Sequence, residues 1–179
     1  WLAMLLWLLF PAPSDVSPGH GIQAHAPVEI VAARLHDPTG LAFDPSTGDL
    51  FIAEADTGVI LRLDPRGALH THATGFRRPR GLARDPWDGS LLVVDERAGT
   101  LSRIARDGSI TRLRNDLKDP HWVAVDDDGR IYVTAEGGAG VKLPGRDEGA
   151  LLAFAPDGSN PQLLAKGLKR PAGLRVLPD

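Results

Sequence analysis

The sequence contains no cysteine among its 179 residues. This absence excludes disulfide bonds, thiolate catalysis and cysteine-ligated zinc. An excess of one charge sign is also lacking, since 20 Lys and Arg residues stand against 23 Asp and Glu residues and are interspersed with them. A formal net charge of -3 gives no broad basic face for nucleic acid and no polybasic membrane anchor. Nucleic acid is therefore not an expected partner.

The sequence begins with an apolar run, WLAMLLWLLF at residues 1–10, that is too short to span a bilayer by itself. Its length is typical of the hydrophobic region of a signal peptide. Ala24 and Ala26 form a small-x-small pattern that signal peptidases cleave. We therefore expect residues 1–26 to be a leader, the protein to be periplasmic or extracellular, and no stable membrane span. A buried apolar strand or helix is the alternative.

Glycine and proline are abundant, with 20 and 15 residues respectively. Beside few helix-favouring runs, they indicate many tight turns that join short strands. A hydrophobic fraction of 42% is enough for the core of one globular domain of this length. The composition predicts an all-β protein.

One stretch of sequence occurs three times. GLAFDPSTGDLFIAE at 40–54 returns 41 residues later as GLARDPWDGSLLVVDE at 81–96, and more weakly as WVAVDDDGRIYVTAE at 122–136. A proline precedes each copy and also a fourth start, at Pro38, Pro79, Pro120 and Pro171. The last interval is ten residues longer, which places an insertion at residues 136–149.

Each period predicts four antiparallel strands joined by tight turns. In the first copy the apolar segments 41–44 and 50–54 flank the turn DPSTGD, and two further strands from Val59 and Ala68 flank DPRG. A four-stranded unit of about 40 residues cannot bury both faces alone, and radial stacking into a β-propeller solves that problem.

The predicted domain is a partial β-propeller over residues 27–179. It contains three complete blades at about 38–76, 79–117 and 120–168. Residues 28–35 are predicted to be an outer closing strand, and residues 171–179 the inner strand of a next blade. We expect the chain to be a fragment of a longer propeller.

The repeat proline, the Gly-Leu-Ala-x-Asp strand and the strands GDLFIAE, GSLLVVD and GRIYVTA resemble the NHL repeat and the six-bladed propellers of the gluconolactonase (senescence marker protein) family. The resemblance covers residues 28–179. It implies that the residue after each repeat proline lies near the mouth of a central channel, where Asn and Asp help to bind a divalent cation in that family. The segment EGALLAFAPDGSNPQLLAKGLKRPAGL also resembles soluble sugar dehydrogenases that use pyrroloquinoline quinone.

The residues after the repeat prolines are Thr39, Arg80, His121 and Ala172. They include no carboxylate, so no metal site is predicted from these positions. Arg80 and His121 could together hold an anionic or polar ligand, because the guanidinium presents a planar fork of donors. The alternative is that Arg80 pairs with a neighbouring carboxylate and His121 is a solvated loop residue.

Trp122 occupies the position that Gly40, Gly81 and Gly173 hold in the other copies. A tryptophan at a polar mouth can stack on a sugar ring or a flat cofactor. Core packing between adjacent blades is the alternative.

Acidic residues close the second strand of the first two copies, at Glu54 and Asp95, and Glu136 lies one position beyond Ala135 in the third. Carboxylates that converge on an axis could bind a ligand or transfer protons. The alternative is that they cap loops by accepting hydrogen bonds from backbone N–H groups.

These observations favour an exported NHL-type propeller that binds a small polar or carbohydrate-like ligand at the channel mouth. Its candidate residues are Arg80, His121, Trp122, Thr39, Glu54, Asp95 and Glu136. The alternatives are a quinone-dependent sugar dehydrogenase or metal-dependent lactonase, and a protein-interaction scaffold. No catalytic residue and no cofactor is assigned. Pyrroloquinoline quinone or a divalent cation is expected only if the protein is one of those enzymes.

Overall fold

A computed structural model describes residues 29–140 and 148–177. The predicted leader and residues 141–147 of the insertion lie outside these ranges. The described residues form twelve strands and no helix. The strands are β1 (Pro38–Asp44), β2 (Asp49–Glu54), β3 (Val59–Leu63), β4 (Leu69–Ala73), β5 (Pro79–Arg84), β6 (Leu91–Asp95), β7 (Thr100–Ile104), β8 (Ile110–Arg114), β9 (Trp122–Val125), β10 (Ile131–Ala135), β11 (Glu148–Phe154) and β12 (Gln162–Lys169).

The strands form three four-stranded antiparallel sheets, each made of four consecutive strands. We call them blade 1 (β1–β4), blade 2 (β5–β8) and blade 3 (β9–β12). The same register recurs in the first two blades, where Pro38 pairs with Glu54 and Pro79 pairs with Asp95. The predicted all-β fold with three complete blades is confirmed.

The blades are held together by apolar side chains between them. One core cluster joins blades 1 and 2 through residues such as Phe51, Ile60 and Leu91, and a second joins blades 2 and 3 through residues such as Leu101 and Phe154. The first strands β1, β5 and β9 contact one another in succession. The sheets therefore fan out from one side, as the blades of a propeller do.

Burial at one repeated position shows what this stacking contributes. Leu82 and Val123 are 4% and 1% exposed because each packs against the preceding blade. Leu41, the equivalent residue of blade 1, is 58% exposed. Identical sequence patterns thus give different burial, depending on whether a described blade lies alongside.

Residues 29–37 and 171–177 contain no strand in the part of the chain that the structure describes. The outer closing strand expected at 28–35 and the inner strand expected at 171–179 stay predictions, and both extend beyond the described residues. Over the described ranges, no helix has the length and apolar character needed to cross a membrane.

Candidate functional site

The starts of the first strands surround a cavity of about 810 Å³, which we call the mouth cavity. Its lining comes from all three blades and from the segment after β12. The lining residues are Asp37, Pro38, Thr39, Arg80, Glu96, His121, Trp122, Glu136, Arg170, Pro171 and Ala172. Five of the seven predicted site residues are thus brought together here, while Glu54 and Asp95 are not part of this lining.

The repeat proline sets the position of the residues that follow it. Pro38 and Pro79 open β1 and β5, so Thr39 and Arg80 lie at the same level of neighbouring first strands. The Thr39 hydroxyl donates to the backbone carbonyl of Pro79 at 2.9 Å. This bond ties blade 1 to blade 2 at the rim of the cavity.

Close approach of the first strands explains why two of the three copies have glycine where blade 3 has Trp122. A Cβ on Gly40 would lie 2.1 Å from the carbonyl oxygen of Arg80, and a Cβ on Gly81 would lie 2.7 Å from Cα of Trp122. Backbone atoms cannot move aside, so these positions exclude every side chain. Trp122 is half-buried and lines the cavity instead.

Arg80 donates a short hydrogen bond from Nε to Oε2 of Glu96. Arg78 approaches the same oxygen at 3.5 Å through its own Nε. Partial burial of Glu96 acts to raise the pKa of its carboxyl. The Arg80 hydrogen bond and the charges of Arg80, Arg78 and His121 outweigh burial and hold that pKa below its ordinary value. Glu96 is therefore ionised at neutral pH.

Sequence reasoning missed Glu96 and Asp37. Glu96 and Glu136 directly follow β6 and β10. Their backbone N–H groups donate to the backbone carbonyls of Arg78 and Lys118, which precede the first strands of blades 2 and 3. The Glu136 carboxylate lies 3.4 Å from Nζ of Lys118. The sequence did contain a signal for Glu96, because the residue that follows the second strand is acidic in two of the three copies. These residues are Ala55, Glu96 and Glu136.

Glu54 and Asp95 are the last residues of β2 and β6, and both are buried. Asp95 is 2% exposed and accepts backbone hydrogen bonds from Arg77, Arg78 and Ala98 at 2.6, 3.0 and 3.0 Å. Glu54 accepts one from the backbone of His36 at 2.9 Å and another from the Thr57 hydroxyl at 2.7 Å. These are the loop-capping contacts expected of carboxylates at strand ends. Their assignment to a ligand stays a prediction.

The carboxylates of the mouth cavity do not fit a divalent cation. Glu96 is held by two arginines, Glu136 faces Lys118, and Asp37 lies 3.9 Å from Arg78. A hard cation needs several free oxygen ligands, and these charged neighbours compete for them. Among the described residues, no group of three or more His, Asp or Glu side chains has the arrangement of a metal site.

No protein-family model matches the sequence. A curated relative, protein strictosidine synthase-like 2 from Arabidopsis thaliana, is 41% identical over 73 residues, which cover 40% of this chain and 18% of that protein. The chain thus spans less than a fifth of this relative's length.

Two solved structures are similar in fold. A nidogen/laminin complex matches with a TM-score of 0.63 and 22% identity, over 72% of this chain and 48% of that one. A gluconolactonase from Xanthomonas campestris, described as important in glucose secondary metabolic pathways, matches with a TM-score of 0.64 and 19% identity, over 75% and 49%. At these identities the likeness concerns the fold alone. The chain has the fold of a β-propeller, and its likeness to the gluconolactonase concerns architecture.

Proposed function

We propose that this propeller binds a small polar, carbohydrate-like ligand in the mouth cavity. The observation that supports the proposal is the convergence of Arg80, His121 and Trp122, at the starts of two neighbouring first strands, on one cavity. An aromatic ring beside hydrogen-bonding groups suits a sugar, since the ring packs on C–H groups while the polar groups bind hydroxyls. Glu96 and Glu136 supply acceptors for those hydroxyls.

Isothermal titration calorimetry with the full chain tests this proposal. The probes are D-glucose, D-glucuronate and D-glucono-1,5-lactone. Trp122→Ala should reduce binding of any probe about five-fold or more, because one stacked ring contributes on the order of 1 kcal/mol or more. His121→Ala is a second variant of the same wall.

The matched control is Trp87→Ala, which removes the same side chain at the opposite end of the strands. This variant should bind as the parent does. Absence of heat with all three probes, or equal binding by Trp122→Ala and the parent, would contradict the proposal. Unchanged far-ultraviolet circular dichroism would show that each variant is folded.

We also propose export to the periplasm or the extracellular space, supported by the signal-like sequence at residues 1–26. Cell fractionation after expression of the chain with and without these residues tests it. The intact chain should leave the cytoplasm, and the shortened chain should stay inside. Equal distribution of the two would reject export.

A protein-interaction scaffold is the second candidate, and Trp87 favours it. Its side chain is 79% exposed, while its indole N–H donates to the carbonyl of Asp127 at 2.5 Å across blades 2 and 3. A large aromatic ring that is both fixed and exposed is typical of protein-binding surfaces. Under this candidate, Trp87→Ala weakens capture of a partner while Trp122→Ala does not.

A further inference from the structure

Another cavity lies between blades 2 and 3, at the end of the strands opposite the mouth cavity. Its volume is about 440 Å³, and we call it the Trp87 cleft. The lining residues are Asp85, Trp87, Asp88, Arg103, Asp128, Gly129, Pro156 and Asp157. Among the described residues, the linings of the two cavities have none in common. A ligand of the Trp87 cleft would therefore bind independently of one in the mouth cavity.

The Trp87 ring is fixed in the cleft, although the turn that carries it does not need an aromatic side chain. Ser46 and Asp128 occupy the same position in the turns of the other two blades. The indole N–H of Trp87 donates to the backbone carbonyl of Asp127 at 2.5 Å, while 79% of the residue is exposed. One edge of the ring is thus anchored across two blades, and most of its surface is open to a partner.

The charge of the Trp87 cleft is negative. Its lining contains four carboxylates and one cation, Arg103. Arg103 contacts the Asp85 carboxylate at 2.6 Å, which matches one of the four, and lies 3.6 Å from that of Asp88. Asp88, Asp128 and Asp157 are all exposed. Three carboxylates of the lining are therefore in excess and accessible.

Two charged residues adjoin the lining and offset each other. Arg106 donates to the backbone carbonyl of Asp88 and lines a different cavity, and Asp127 is exposed beside Asp128. The excess negative charge of the cleft is thus retained. A cation is attracted both by such an excess and by the face of a tryptophan ring.

We infer that the Trp87 cleft binds an arginine-rich segment of a partner protein, with a guanidinium against the Trp87 ring and in contact with the exposed carboxylates. Arginine fits this site because its planar guanidinium stacks on an aromatic ring and donates to a carboxylate at the same time. The inference rests on the second candidate function, the protein-interaction scaffold, and names the chemistry of the partner. It does not depend on sugar binding in the mouth cavity.

Nuclear magnetic resonance titration of the isotope-labelled full chain tests the inference. The probe is an acetylated and amidated peptide of three arginines, and the same peptide with three glutamines is the neutral control. The indole N–H signal of Trp87, identified by its absence in Trp87→Leu, should shift and saturate with the arginine peptide alone. The signal of Trp122 should not move. Binding should weaken as salt is raised from about 0.05 to about 0.5 M, because ions screen exposed charges.

Variants separate the ring from the charge. Trp87→Leu should lower the affinity for the arginine peptide about two- to five-fold in calorimetry, as expected for an exposed cation–π contact. Asp128→Asn should lower it by a similar factor, as expected for one exposed ion pair, and keeps the ring. Asp56→Asn is the matched control, because Asp56 is exposed and lies outside the cleft, on the turn between β2 and β3. It makes the same change in net charge and should not alter the affinity.

The outcomes distinguish this inference from the proposals on which it builds. An unmoved Trp87 signal, or equal binding of the two peptides, overturns the arginine-rich partner. The scaffold candidate then stands only if Trp87→Ala still weakens capture of a partner protein. A shift of the Trp122 signal in place of Trp87 would move the peptide to the mouth cavity and overturn the inference. Equal affinities of Asp128→Asn and Asp56→Asn would overturn the part assigned to the charge of the cleft.

Discussion

The two ends of the blades use the same residue types for different purposes. At one end of the blades lie the turns that join the first strand of each blade to its second strand. The aspartates Asp44, Asp85 and Asp126 recur there every 41 residues, and each accepts a backbone hydrogen bond from the residue two positions on. At the mouth end, the carboxylates of Asp37, Glu96 and Glu136 have no such common arrangement. They pair with a different set of basic residues in each blade.

The comparison shows that a repeated fold stabilises its turns with the same residue in every blade and lines its cavity with residues that differ between blades. A turn needs the same hydrogen bond in every blade, so its aspartate recurs. The mouth is formed once by all blades together, so each blade contributes a different side chain. In this chain, positions that break the repeat, such as Trp122 in place of glycine, lie where the blades meet around the cavity. Deviation from the repeat is thus the better guide to the site.

The largest expected effect on stability comes from Asp95, a carboxylate at the mouth end that holds a loop by accepting its backbone N–H groups. Asp95→Ala leaves three backbone N–H groups without their acceptor, which should lower the free energy of unfolding by about 3 kcal/mol. Denaturant unfolding followed by circular dichroism measures it. A loss no larger than that of an exposed aspartate would show that Asp95 is not a support.

At the turn end, Asp85→Ala should lower the free energy of unfolding by about 2 kcal/mol. Asp85 is 4% exposed, accepts the N–H of Trp87 at 2.9 Å, and contacts Arg103 at 2.6 Å. Asp127→Ala is the matched control at the same end, because that side chain is exposed, and it should change stability by less than about 0.5 kcal/mol. Similar urea midpoints for the two variants would contradict the prediction.

Stability should fall in acid partly because of Glu54. Burial acts to raise the pKa of its carboxyl, but the Thr57 hydroxyl and the backbone N–H and charge of His36 hold it below the ordinary value of 4.5. A carboxyl whose pKa is lower in the folded state stabilises the fold above its unfolded pKa, and this contribution is lost as pH falls through the folded pKa.

Glu54→Gln should therefore cost about 1 kcal/mol at pH 7 and progressively less below pH 4.5, where the parent loses the same contribution. Urea unfolding of parent and variant at several pH values measures this difference. A difference that stays constant or grows on acidification would reject the role given to the Glu54 carboxylate.

The smallest expected effect is that of Glu96→Gln on stability, below about 1 kcal/mol. Its carboxylate is 21% exposed, and its partners Arg80 and Arg78 also contact solvent. Glutamine keeps an oxygen for Arg80 and removes the charge. Thermal unfolding at neutral pH checks this prediction. A loss of stability comparable to that of Asp95→Ala would show that Glu96 stabilises the fold as Asp95 does.

Much of the fold follows from local patterns. The strands at 41–44 and 50–54 were predictable because alternating and apolar segments lie between Asp, Pro and Gly turn residues, and the structure extends them only to Pro38 and Asp49. The convergence of Thr39, Arg80 and His121 could be anticipated from their shared position after a repeat proline together with the family resemblance, and that of Trp122 from its place directly after His121. Asp37 and Glu96 were not chosen, because the sequence does not show which of two adjacent acids lines the cavity. Asp95 accepts backbone N–H groups of a loop, and Glu96 in the following turn lines the cavity.

The sequence by itself determined the all-β class, the period of 41 residues and the four strands of each blade, because turn chemistry and alternation act over a few residues. Only the tertiary structure decided which carboxylate supports a loop and which lines the cavity, and which cation stands beside each. Those outcomes depend on contacts between blades about 40 residues apart in the sequence. At such contacts Gly40 and Gly81 leave no room for a side chain, whereas the equivalent position of blade 3 holds Trp122.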